Sequence, residues 1–168
     1  MRAGAKSKSS GGVKAITSVI KADLITLSGS DTLSFPTISA KTFSALSSQS
    51  VPTLMVTQSS ADNVLCFAVH HADLARVKSM LEKSFELELL HGYMNPIEVM
   101  SQAAIVVTIG ENMKGIPGIA GRVFGALGGR KINVIAIAQG SSELSISFAV
   151  KSSDVKGTVQ ALHREFRL

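Results

Sequence analysis

Apolar and polar positions along the chain follow a pattern that recurs after 81 residues. In the later copy, Ala103 to Ile109 is a continuous apolar run that predicts a strand, and Gly110 to Gly115 predicts a loop after it. From Pro117 onward, Ile119, Ala120, Val123, Phe124 and Leu127 return at helical spacing, with Pro117 suited to the first turn and Gly128 with Gly129 to the stop. Ile132 to Ala138 predicts a second strand and Gln139 to Glu143 a turn. The alternation of Leu144, Ile146, Phe148 and Val150 predicts a third strand. Ser152 and Asp154 offer caps for a helix ending near Phe166.

The earlier copy predicts strands at 22–28, 51–57 and 64–70 and helices at 37–48 and 72–84. Phe85 to Leu90 then alternates and predicts a fourth strand with Glu86 and Glu88 on a solvated face. Shifting the chain by 81 positions sets Gly29 on Gly110, Pro36 on Pro117, Ile38 on Ile119, Leu46 on Leu127, Gln58 on Gln139, Phe67 on Phe148 and Phe85 on Phe166. Each copy therefore reads as a βαββαβ unit, and the fold class is α+β with two ferredoxin-like units. The later copy runs out of residues before its fourth strand, and Val13 to Thr17 occupies the matching place in the repeat. The predicted division is a flexible leader at 1–12, a first unit at 18–93, and a second made of 13–17 plus 94–168, the first being inserted in the second.

Charge alters this picture little. The formal net charge of +5 comes from 17 basic and 12 acidic residues. Arg2, Lys6 and Lys8 stand in the leader, leaving 14 basic residues (17 minus 3) scattered through the body. No basic patch for nucleic acid emerges. The single cysteine, Cys66, excludes an internal disulfide, and its apolar run reads as core. No apolar run reaches the roughly 18 residues that cross a bilayer. Without signal segment or disulfide, the expected location is the cytoplasm.

Catalytic constellations are not apparent. His70, His71, His91 and His163 read as surface or structural residues, and the carboxylates are scattered. Gly110, Gly115, Gly118 and Gly121 follow a strand and open a helix, but match neither GxGxxG nor GxxxxGK[ST]. Such an element offers orphan N–H groups that suit the carboxylate of a free amino acid; alternatively, Gly118 and Gly121 let the helix pack tightly on the sheet. Gln58 and Gln139 each fall at the end of a second strand. Their amides suit the hydroxyl or ammonium of an amino acid, or else tie down the following turn.

The run AIAQGSSELSISF from Ala136 to Phe148, preceded by MKGIPGIAGRVFGAL from Met113 to Leu127, resembles the second ACT unit of aspartokinase regulatory regions. MVTQSS, Met55 to Ser60, resembles the first. The resemblance covers nearly everything from Val13 onward. It implies a region that binds an end-product amino acid and inhibits a kinase acting on the side-chain carboxylate of aspartate. The glutamine version is most similar to threonine-sensitive enzymes, which implies L-threonine as effector, with lysine or another amino acid as the alternative. By the same resemblance Gln58 and Gln139 contact the effector. Asn112, Met113, Lys114, Gly115, Ile116, Pro117, Gly118 and Ile119 form a loop around it, and Asn133 is a further candidate.

The earlier copy departs from this pattern, having Leu33, Ser34, Phe35, Pro36 and Thr37 where the later has Lys114, Gly115, Ile116, Pro117 and Gly118. The two sites are therefore not expected to be equal. The resemblance also implies that this chain carries no catalytic residues and no cofactor, ATP and Mg belonging to a kinase module absent from the sequence. The implied partners are an aspartokinase catalytic domain or subunit and a second copy in a homodimer. The expected role is that of a regulatory piece, either excised from a longer enzyme or made as a separate subunit. A ferredoxin-like RNA binder is the remaining alternative, but its sheet would need aromatic residues for base stacking, and the strand Leu144 to Val150 offers only Phe148.

Overall fold

The computed structural model describes residues 12–30, 32–59 and 62–168. Apart from Gly12, the predicted leader lies outside the described residues. The elements are β1 (Ala15–Ser28), α1 (Phe35–Ser48), β2 (Met55–Ser59), β3 (Val64–His70), α2 (Leu74–Ser84), α3 (Glu86–Leu90), β4 (Glu98–Ile109), α4 (Ile119–Gly128), β5 (Ala136–Gln139), β6 (Ser145–Lys151) and α5 (Val155–Phe166). The six strands form one antiparallel sheet in the order β2-β3-β1-β4-β6-β5.

Period-two alternation sorts the strand residues onto two faces. Ile25, Leu27, Leu65, Phe67 and Val69 face α1 and α2, whereas Val106, Ile146, Phe148 and Val150 face α4 and α5. Phe67 and Phe148 are each fully buried beneath their helices. Phe148 is thus unavailable for stacking on a base. The opposite face carries Ala22, Ala68, Ala103 and Ala149 with Leu24, Met55 and Ile105. Small side chains here let the sheet curl over this face, so β2 and β5, at opposite ends of the strand order, come into contact.

The two long strands bend at bulges. The β1–β4 register shifts between Ile20 and Ala22 and again before Leu24. Lys21 (φ 66°) and Gln102 (φ 60°), 81 positions apart, hold left-handed backbone there. A bulge locally increases strand twist, which serves the curl. Ser50 (φ 51°) and Lys131 (φ 58°), also 81 apart, repeat the conformation after α1 and α4. The duplication therefore extends to backbone geometry that residue identity does not reveal.

Both long strands serve both halves of the sheet. Ala22–Ser28 of β1 pairs with β3, while Ala15–Ile20 pairs with Ile109–Ala104 of β4. Val13 is fully buried in the core beneath α4 and α5, and Lys14 N–H donates to Ile109 O at 2.7 Å. In the other direction Glu98, Val99 and Met100 of β4 pair with Thr26, Ile25 and Leu24.

That last pairing replaces the fourth strand predicted at Phe85 to Leu90. Those residues form α3, continuing almost directly from α2, with Leu89 N–H donating to Phe85 O and His91 N–H to Leu87 O. Phe85 is fully buried, but Leu87 and Leu90 stay exposed. The alternation is real in sequence, yet the first core already has its strands. The helical caps also differ from expectation: Asp154 sits at the N-cap of α5 without a side-chain hydrogen bond to the helix, after a short 3-10 turn at Ser152–Asp154.

Candidate functional site

The curl creates a hollow of about 470 Å³ between β2 and β5, lined by Thr57, Gln58, Gln139, Gly140, Ser145 and Ser147 among others. Gln58 is the penultimate residue of β2 and Gln139 the last of β5. Both are exposed, and neither amide hydrogen-bonds another described residue. For Gln139, the alternative in which the amide ties down its turn is therefore not what the described residues show. The turn after Gln139 is held instead by Glu143 N–H donating to Gly140 O at 3.0 Å.

Ser145 and Ser147 alternate with buried Ile146 and Phe148, which turns their hydroxyls to the hollow. Sequence reasoning overlooked these two serines and Thr57. The signal was available, because polar residues between buried ones on a strand must face the other side. Amides and hydroxyls both donate and accept, so this end can hold a small zwitterion that also carries a hydroxyl.

A second hollow of about 330 Å³ shares Thr57 and Gln58 and continues past Val64, Cys66 and Met100. Val64 and Cys66 are the 81-position counterparts of Ser145 and Ser147. The surroundings of Gln58 are thus apolar where those of Gln139 are polar. Burial pushes the Cys66 thiol above its ordinary range, and a hydrogen bond with Thr26 opposes this only in part. At pH 8 Cys66 is expected to react with iodoacetamide more slowly than a free thiol, since less thiolate is present. Urea should abolish the difference, and equal rates in the two states would contradict the burial.

The glycine-rich loop takes a different place from the glutamines. Glu111–Met113 forms a 3-10 turn containing Asn112. Met113 (3% exposed) and Ile119 (5%) are committed to the core, whereas Lys114, Gly115, Ile116, Pro117 and Gly118 are exposed. None of residues 113–119 lines either hollow between the strands. The loop is tied to that region by Gly115 N–H donating to Glu143 Oε2 at 2.7 Å, in the turn that begins at Gly140. Asn133 is exposed in the connection preceding β5, outside the strand predicted from Ile132.

Pro117 also differs from expectation, since α4 begins at Ile119, after it. Gly118 is the N-cap with φ 88°, a conformation costly for a side chain bearing a Cβ. In the first copy Thr37 occupies that place and α1 begins at Phe35, taking Pro36 into its first turn. A Cβ added at Gly118 or Gly121 would meet nothing within 4 Å, so neither glycine is required for close packing of helix on sheet. Gly118 instead sets the entry of the chain into α4, whose first N–H groups have no intrahelical acceptor.

Two of the histidines are tied into the structure. His71 Nδ1 lies 2.7 Å from Oδ2 of the buried Asp23, while Nδ1 of His91 donates to Leu87 O at 2.8 Å. Asp23 went unnoticed in the apolar run of β1. No group of three or more His, Cys, Asp and Glu is placed to hold a metal among the described residues.

A family model for the ACT domain matches residues 25–85 and again 106–166, the same 81-position displacement. The chain belongs to the ACT domain family. Among curated proteins, this ACT pair is 32% identical over 151 residues to the bifunctional aspartokinase/homoserine dehydrogenase of Buchnera aphidicola subsp. Acyrthosiphon pisum, covering 90% of this chain and 18% of that protein. It is 35% identical over 152 residues to the enzyme of the same name from Haemophilus influenzae, covering 90% and 19%. The ACT pair thus spans less than a fifth of these relatives. Among solved structures it resembles the aspartokinase alpha and beta subunits, with TM-score 0.80, 18% identity and coverage of 93% of this chain and 99% of that one. The ligand-free regulatory subunit of aspartate kinase from Thermus thermophilus gives TM-score 0.77, 19% identity and coverage of 92% and 99%. In the ACT pair, the family match falls on both cores, and the hollow with the two glutamines lies where the edges of the units meet.

Proposed function

We propose that this ACT pair is the regulatory region of an aspartate kinase and binds L-threonine as a feedback inhibitor in the hollow between Gln58 and Gln139. The observation that carries this reading is the pair of exposed amides, equivalent in the repeat, facing one hollow with the hydroxyls of Thr57, Ser145 and Ser147. These amides and hydroxyls both donate and accept, which suits the ammonium, the carboxylate and the hydroxyl of threonine. Binding inhibits by favouring one arrangement of the pair over another, to the extent that its affinities for the two differ.

The partner is an aspartokinase catalytic domain or subunit, and the chain associates with a second copy as a homodimer. The unit containing Phe67 is read as an insertion within the unit containing Phe148, whose fourth strand is the start of β1. The region is assigned to the cytoplasm; no described helix is long and apolar enough to cross a membrane.

Titration calorimetry with L-threonine, L-lysine and L-methionine tests the effector. Threonine is expected to bind, and Gln139→Ala to weaken it about tenfold, as expected for an amide hydrogen bond worth about 1.4 kcal/mol. Heat from lysine alone would overturn the threonine assignment and leave the fold untouched.

A further inference from the structure

A separate hollow of about 570 Å³ lies where the two bulged strands meet, lined by Ile20, Lys21 and Asp23 of β1, Ser101 and Gln102 of β4, and His71 and Ser152. Ile20 and Ser101, Lys21 and Gln102, and His71 and Ser152 are all 81-position pairs. The hollow therefore sits on the axis relating the repeats, with both units contributing the same positions. Its chemistry is not symmetric. The first unit supplies Lys21, Asp23 and His71; the second answers with Gln102, Ala104 and Ser152.

Asp23 is the unusual member. Its side chain is 0% exposed, Oδ2 is taken up by His71, and Oδ1 has no hydrogen-bond partner among the described residues. A buried carboxylate oxygen without a donor is costly, and its position in the wall of a hollow points to a donor arriving from a ligand. Lys21 provides the opposite sign: it is exposed and makes no ion pair with a described residue. Ile20, 58% exposed, forms an apolar wall beside both charges.

An anionic and a cationic group facing one hollow match the two ends of a zwitterion, and the apolar wall suits an aliphatic side chain. We infer that this hollow is a second amino-acid site, distinct from the glutamine hollow, taking an α-amino acid with an apolar side chain. The ammonium is directed to the Asp23–His71 pair, the carboxylate to Lys21, and the side chain to Ile20. A ligand seated there touches both long strands at their bulges.

Calorimetry on the whole chain with three matched probes tests the site: L-leucine, 3-methylbutylamine, which lacks the carboxylate, and 4-methylpentanoate, which lacks the ammonium. Leucine is expected to bind at millimolar concentrations or below, with each single-charge analogue at least about tenfold weaker. Asp23→Asn should abolish leucine binding. Because that variant alters a buried pair and can disturb folding, Lys21→Gly carries the test separately. It removes an exposed side chain at a position whose positive φ suits glycine, and should weaken leucine about tenfold. Gln139→Ala should leave leucine binding unchanged. The inference is overturned if leucine gives no heat, if the amine binds as tightly as leucine, if Lys21→Gly binds normally, or if Gln139→Ala abolishes the signal. That last result would assign leucine to the glutamine hollow. Loss of threonine binding without loss of leucine binding separates failure of one site from failure of the other.

Discussion

Phe148→Ala is expected to lower the folding stability of the chain by about 3–5 kcal/mol, the usual cost of removing a buried aromatic ring. Phe148 is fully buried at the middle of β6, between Val106 of β4 and Ile137 of β5. Its ring meets that of Phe124 edge-on at 5.7 Å between centroids, so the substitution also strips a contact from α4. Typical domains hold only about 5–15 kcal/mol in total, and the variant would stand near the limit of folding. Phe148→Leu keeps most of the volume and should cost far less. Urea unfolding followed by circular dichroism measures both. An unchanged midpoint for the alanine variant would show that this core is not where the stability resides.

Gly110→Ala should produce the second large effect, by a different route. A Cβ at this position would lie 1.9 Å from Gly12 O and 2.9 Å from Val13 Cα. The obstruction is backbone, so no side-chain rotation relieves it. Nor is the cause conformational, because φ at Gly110 is −171°, ordinary extended backbone. The chain before β1 is expected to lift away. Val13 would leave the core, and both the Lys14 N–H bond to Ile109 and the 2.7 Å ion pair of Lys14 with Glu111 would be lost. Exposing Val13 and breaking the backbone bond amounts to about 2–4 kcal/mol, while the exposed ion pair adds little. Hydrogen exchange should accelerate at Lys14 far more than at Phe148. Uniform acceleration throughout the chain would point to global destabilisation instead.

Gly110 illustrates what the sequence makes legible. Its match with Gly29 was plain, yet the reading attached to it was ligand access in a glycine-rich loop. The actual reason is the segment leading into β1, which passes directly over Gly110 from a place about a hundred residues earlier in the sequence. Local periodicity was sufficient for α1, α2, α4 and α5 and for β3 and β6, because each has a clear buried face. It failed at Phe85 to Leu90, where six residues are too few to separate alternation from helical spacing. It also missed Glu98–Met100, where β4 begins on residues that are mostly exposed and whose strand character comes from pairing with β1.

The candidate site was legible in the same uneven way. Gln58 and Gln139 stood out as polar residues at equivalent strand ends, and the structure brings them to one hollow. That the hollow exists depends on a curl set by alanines on four strands and by bulges at Lys21 and Gln102, features that local pattern does not connect. Asp23 stayed hidden because a lone carboxylate in an apolar run has no local signature. Only its burial and its unpartnered oxygen distinguish it.

The sharing of β1 and β4 limits how this chain can be inherited. A recombination that exchanged one half for a foreign ACT unit would leave half of each long strand facing an unfamiliar neighbour along the register from Ala15–Ile109 to Thr26–Glu98. Half-length fragments made separately would each present an unmatched half-strand, so they can complete themselves only by reassociating. Two units that look like beads on a string are therefore transmitted as one piece, and changes in either half must remain acceptable to the other.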